Sequence, residues 1–196
     1  MRKLFLAVAA AEGLDPVAAQ IIKKMKINTD QRQIEVRWVP QGNFHVTLVF
    51  LGNVVDGKIP EIENIASEVA KHIAPFSLKI ADVGGFPDEF SSRVLWFGVQ
   101  NSKALRYLQE TLSLSFKNNG YALDEREYSP HLTIGRLRNP QRVRDIISPF
   151  VRKKIAKIRI TEFILYESAG SHPFPVYKPL TRFHLTGVAE DAQELE

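Results

Sequence analysis

Apolar positions along the chain fall into two kinds of run. Short runs, alternating or continuous, predict strands at 2–10, 34–39, 44–51, 76–83, 94–99, 130–137, 155–166 and 177–186. Longer stretches with apolar residues three and four apart predict helices at 16–26, 59–73, 102–119 and 141–150. The first helix gathers Val17, Ile21, Ile22 and Met25 on one side; the third gathers Leu105, Leu108, Leu112 and Phe116. Asp15-Pro16 is a helix start, and Asn118-Asn119-Gly120 a helix end. Turns are expected at Pro40-Gln41-Gly42-Asn43, at a loop with Gly84, Gly85 and Pro87, and at 168–175. Arg2-Lys3 before an apolar run imitates a secretory signal, but the helix start that follows leaves no cleavage linker, so a buried first strand is favoured.

Two of the strands carry the same chemistry. His45-Val46-Thr47-Leu48 recurs in type as His131-Leu132-Thr133-Ile134. Side chains in a strand alternate between faces, so each segment shows an imidazole and a hydroxyl on one face and two apolar groups on the other. Each motif lies near a long helix, which suggests two related α+β lobes. Two facing histidines can supply a general base and a general acid near neutral pH without a metal.

The chain has 196 residues, enough to bury a core as one domain or two lobes, and no cysteine. Disulfides, thiolate metal sites and cysteine nucleophiles are therefore excluded. No run approaches the length of a membrane-spanning helix. Net charge is +4, and residues 136–159 hold nine basic residues against Asp145 alone. Such a run is either a solvated face or a positive field beside the second motif that would attract phosphate.

The remaining histidines fit plainer roles. His184-Leu185-Thr186 shows that His-x-Thr alone is a cheap pattern, and His184 is expected to be part of the last strand. His72 sits at a helix end, where an imidazolium suits the dipole, and His172 lies in the proline-rich loop. No metal site is expected, because ligand spacing such as His-x-x-x-His does not occur; Asp124, Glu125 and Glu127 are the nearest carboxylates. No cofactor is expected, and neither phosphate-binding glycine-rich motif is present.

With these residues the chain resembles the two-histidine (2H) phosphoesterase superfamily, in particular the RNA 2',3'-cyclic phosphodiesterases long called 2'-5' RNA ligases. The likeness rests on residues 2–8, on Arg37-Trp38-Val39-Pro40 leading into 43–52, on Gly85-Phe86-Pro87, on 93–96, and on Tyr128-Ser129-Pro130 leading into 131–136. It implies an α+β fold of two pseudo-symmetric lobes, each an antiparallel sheet with helices on its outer side, around a central cleft. The whole chain, 1–196, would then be one bilobal domain with one His-x-Thr-x motif per lobe. It also implies metal-independent hydrolysis of a terminal 2',3'-cyclic phosphate to a 2'-phosphate. Under the family assignment His45 is the proton donor and His131 the proton acceptor. Thr47 and Thr133 would bind the non-bridging oxygens, and Arg136 matches the family's phosphate-contacting arginine.

Arg136 poses a problem of parity. It stands five residues after His131, so a regular strand would aim it at the opposite face. A bulge at Gly135 would re-aim it. Phe5, Trp38 and Tyr128 are candidates to stack a base, although core packing is the favoured role for each. The expected partner is RNA with 2',3'-cyclic phosphate ends, such as tRNA fragments, met by a cytoplasmic monomer with no membrane partner. Reverse 2'-5' joining of RNA ends is expected as a minor activity. The alternatives are a non-catalytic nucleotide or RNA-end binding module, and a phosphodiesterase for small cyclic nucleotides.

Overall fold

A computed structural model describes residues 1–10, 14, 16–170 and 175–188. Asp15, His172 with its loop at 171–174, and the acidic tail lie outside the described residues. The strands are β1 (Arg2–Ala9), β2 (Val36–Trp38), β3 (His45–Val54), β4 (Phe76–Phe86), β5 (Ser92–Val99), β6 (His131–Gln141), β7 (Lys154–Ile160), β8 (Glu162–Ala169) and β9 (Val176–His184). The helices are α1 (Pro16–Gln31), α2 (Ile59–Lys71), α3 (Lys103–Asn118) and the single turn α4 (Arg144–Ile147).

The expected α+β architecture is what forms. A curled antiparallel sheet runs β7-β4-β5-β6-β3-β1-β8-β9, with β2 added to the free part of β6. It divides naturally into two four-stranded halves whose inner edges, β3 and β6, carry the two motifs. These halves touch through one paired position, Val46 opposite Leu132.

Core formation follows the alternation read from the sequence. Val46, Leu48, Leu132 and Ile134 are buried with Leu6, Leu95 and Phe97, while the motif histidines and threonines stay half-exposed. Ile62, Ala66, Val69 and Leu105, Leu108, Leu112, Phe116 close the core from α2 and α3. Ser102 caps α3 by accepting the Leu105 N–H at 3.2 Å.

Several boundaries moved for local reasons. The first helix continues to Gln31, and the buried Thr29 returns its hydroxyl to the Lys26 carbonyl. Gln33, at φ 56°, makes the turn that delays β2 until Val36. Gly84 and Gly85 belong to β4, paired with Trp96 and Leu95, and are glycines because the Trp96 indole and the Ser92 side chain occupy the space where a Cβ would stand. The apolar run 155–166 is two strands. It breaks at Thr161 and feeds opposite ends of the sheet, β7 against β4 and β8 against β1. The helix at 141–150 reduces to α4 and a 3-10 turn, since β6 continues through Pro140 to Gln141.

Candidate active site

Both motifs present themselves in the same way. In β3 the order from His45 is half-exposed, buried, half-exposed, buried, buried, exposed, and β6 repeats that order from His131. The doubled buried step marks a bulge in each strand. Ala7 faces Thr47 and Leu6 faces Val49, so Leu48 is the extra residue. Trp96 faces Thr133 and Leu95 faces Gly135, so Ile134 is the extra residue. A bulge of one residue restores the sixth position to the face of the first and third. Arg136 therefore shares the cleft face with His131 and Thr133, as the expected bulge requires. Gly135 contributes room: a Cβ there would stand 2.8 Å from a Val36 methyl.

In the first motif the sixth position is Phe50. It lies 56% exposed beside Phe5, at 5.7 Å between ring centroids. Unbroken alternation from His45 would send Phe50 to the other face, and only the bulge brings it round.

Continuing the antiparallel register one step to either side of Val46 and Leu132 brings His45 level with Thr133 and Thr47 level with His131. Each imidazole is held by a carbonyl two residues upstream. His45 Nδ1 donates to Asn43 at 2.7 Å, and His131 Nδ1 donates to Ser129 at 2.8 Å. A carbonyl can only accept, so both neutral rings carry the proton on Nδ1 and leave Nε2 as a lone-pair site. An aromatic ring stands edge-on to each: Tyr177 to His45 at 82°, and Phe86 to His131 at 81°.

Burial holds both histidine pKa values below 6.5, against the Nδ1 hydrogen bonds, which raise them. The Arg136 charge lowers both further, and His131 also lowers His45. Thr47 and Thr133 hydroxyls make no hydrogen bond among the described residues. The site thus assembles two imidazoles with open Nε2 atoms, two free hydroxyls and one guanidinium, a set suited to an anion with bonds to make and break.

The stacking candidates are placed differently. Phe5 is only 2% exposed and packs against His45, Tyr166 and Tyr177. Trp38 turns to the helix side, under the Lys26 ammonium of α1. Tyr128 donates its hydroxyl to the Thr47 carbonyl at 3.0 Å, tying the segment before the second motif to the first motif strand. Burial raises its pKa. Tyr177 and Phe86 flank the histidines, with Trp96 packed on Phe86 behind, and no spacing in the sequence signals them.

Of the basic run, Arg136 alone acts on the histidines. Arg142 and Arg144 lie over Phe90, and Lys154, Lys157 and Arg159 sit exposed on the edge strand β7, where charge protects a free edge. His184 pairs with Glu162 at 3.4 Å, and His72 caps the end of α2. Among the described residues no group of three or more acidic or histidine side chains could hold a metal, and no helix is long and apolar enough to cross a membrane.

A model of the 2'-5' RNA ligase superfamily matches residues 14–172. The chain belongs to this superfamily. A relative from Methanothermobacter thermautotrophicus, named RNA 2',3'-cyclic phosphodiesterase, is 32% identical over 93% of this chain and 98% of its own. One of the same name from Thermotoga maritima is 30% identical over 94% and 96%. Escherichia coli LigT, solved with 3'-AMP, is 25% identical, covers 94% of this chain and 98% of its own, and superposes with a TM-score of 0.69. A Thermus thermophilus structure, 24% identical and covering 95% of this chain and 99% of its own, shares the fold with a TM-score of 0.76.

Proposed function

We propose that this protein is an RNA 2',3'-cyclic phosphodiesterase that opens a terminal cyclic phosphate to a 2'-phosphate by two-histidine acid–base catalysis. The observation that carries this reading is the matched pair of imidazoles, each fixed at Nδ1 and open at Nε2, on the two inner strands of one sheet.

In the proposed reaction the cyclic phosphate lies between the histidines. His131 Nε2 takes a proton from water as the water oxygen bonds to phosphorus. The bond from phosphorus to the ribose 3' oxygen breaks, and His45, as the imidazolium, gives its Nε2 proton to that oxygen. The phosphate stays on the 2' oxygen. The two rings end with their protonation exchanged, and solvent resets them. Thr47, Thr133 and Arg136 donate to the non-bridging oxygens, where charge builds as the pentavalent species forms. No step calls for a metal. With a ribose 5'-hydroxyl in place of water, the same bond changes leave a 2'-5' linkage, the reverse of cleaving one.

Both histidines come from one chain, so a monomer suffices, acting as a single bilobal unit. The relatives' shared name and the positive Arg136 beside the site support RNA ends as substrate, and tRNA fragments are one source of such ends.

Replacing each histidine in turn tests the assignment. His45→Ala and His131→Ala should each lower turnover by about 10²–10⁴-fold, the usual worth of a positioned acid or base, while an RNA ending in a 2'-phosphate still binds. Full activity in both variants would refute it. Binding of that RNA by a wild-type protein that turns over no cyclic end would indicate a binding module instead.

A further inference from the structure

Arg37 stands opposite Arg136 in the pairing of β2 with β6. Directly paired residues of antiparallel strands share a face, and Arg136 is on the cleft face by virtue of the bulge at Ile134. Arg37 therefore projects from that face as well. Its neighbours Val36 and Trp38 turn the other way and pack against the core, and Arg37 is exposed.

Two like charges facing each other across strands oppose folding. Two residues along, just beyond β2, the ordinary arrangement appears, with Arg138 3.8 Å from Glu35. At the rung of Arg37 and Arg136, neither guanidinium has an acidic partner among the described residues. An arrangement that costs stability and lacks an internal counter-ion calls for an anion from outside.

The position indicates which anion. The Arg136 charge acts on both histidines, and Arg37 stands across the ladder from it, one strand farther from the motif strand β6. From Thr133 to Arg136 is about two residue steps once the bulge is allowed for, roughly 7 Å along the strand. One nucleotide of a single strand spans such a distance. The cyclic phosphate occupies the space between the histidines, so the next anion of an RNA chain is the phosphodiester on the 5' side of the terminal nucleoside.

We propose that Arg37 binds this penultimate phosphodiester, while Arg136 beside it serves the cyclic phosphate, and that Arg37 thereby gives the enzyme a preference for oligonucleotides over cyclic mononucleotides. The proposal rests on the cyclic phosphodiesterase reading given above. A planar guanidinium suits the task because it can engage two phosphate oxygens at once.

The test compares kcat/KM for a trinucleotide ending in a 2',3'-cyclic phosphate with that for a 2',3'-cyclic mononucleotide, in wild type and in Arg37→Gln. Wild type should favour the trinucleotide, and Arg37→Gln should lower that ratio about tenfold, the worth of one charge-assisted contact. The slope of log kcat/KM against log salt for the trinucleotide should also flatten by about 0.7, the value for one phosphate contact on a single strand. The variant should melt no lower than wild type at low salt, since a like-charge pair has been relieved. A ratio unchanged by the substitution would overturn the proposal, as would a wild type with no preference for the longer substrate. A wild type that turns over neither substrate would instead defeat the phosphodiesterase reading itself.

Discussion

Val46 stands directly opposite Leu132, and through that pairing the two halves of the sheet become continuous. Each is the second residue of a His-x-Thr-x motif and each is fully buried, Val46 at 1% and Leu132 at 0% exposure. The contact that joins the halves is thus flanked on its other face by the four motif side chains. Leu132→Ala should cost about 2–5 kcal/mol by urea unfolding, as deletion of a buried leucine generally does. Leu132→Met should cost less than about 1.5 kcal/mol. An alanine variant as stable as wild type would show that the junction is not part of the core.

The pH dependence follows from the lowered histidine pKa values. In the free enzyme the required imidazolium is lost above a pKa that lies under 6.5, so kcat/KM should peak below pH 6.5 and fall toward alkaline pH. Arg136→Gln removes a charge that lowers both histidines, so its alkaline limb should move upward. Stability carries the opposite slope. A histidine with a depressed folded-state pKa binds fewer protons folded than unfolded, so its contribution is present above pH 6.5 and is lost as pH falls through the folded value. A kcat/KM profile still rising above pH 7 would contradict this account.

Phe50 should contribute through its exposed ring on the cleft face. Phe50→Ala is expected to weaken binding of an RNA end by about 1–3 kcal/mol if the ring stacks a base, with kcat less affected. Equal KM values for wild type and variant would assign Phe50 to packing on Phe5 alone.

Gly135→Ala should destabilise by about 1–3 kcal/mol, because the new methyl meets a Val36 side-chain carbon at 2.8 Å. It should also displace β2 and reduce activity on RNA more than on a cyclic mononucleotide. A variant with wild-type stability would mean that Val36 can move aside freely.

Much of this site was legible in the residue order, and its limits were physical. Period-two alternation placed His45, Thr47, His131 and Thr133 on one face because nothing interrupts it before the fourth motif position. Beyond that point the bulges at Leu48 and Ile134 reset the phase, and a bulge leaves no reliable trace in composition. The presence of Gly135 hinted at the second bulge; Leu48 gave no hint of the first, and Phe50 was missed for that reason. Tyr177 and Phe86 reach the histidines from strands distant in sequence, a proximity set by sheet order alone. The run 155–166 hid a change of sheet end at Thr161, because both of its strands are rich in buried apolar residues and no breaker lies between them.

The central claim is tested most directly by incubating the EDTA-treated protein with a short RNA ending in a 2',3'-cyclic phosphate. The product is identified by the gain of one water in mass, by its new sensitivity to phosphatase, and by co-chromatography with RNA standards ending in a 2'-phosphate and in a 3'-phosphate. The account predicts opening of the cyclic end to a 2'-phosphate without added metal. A 3'-phosphate product, turnover that returns only with a divalent cation, or RNA that stays bound with its cyclic end intact would contradict it.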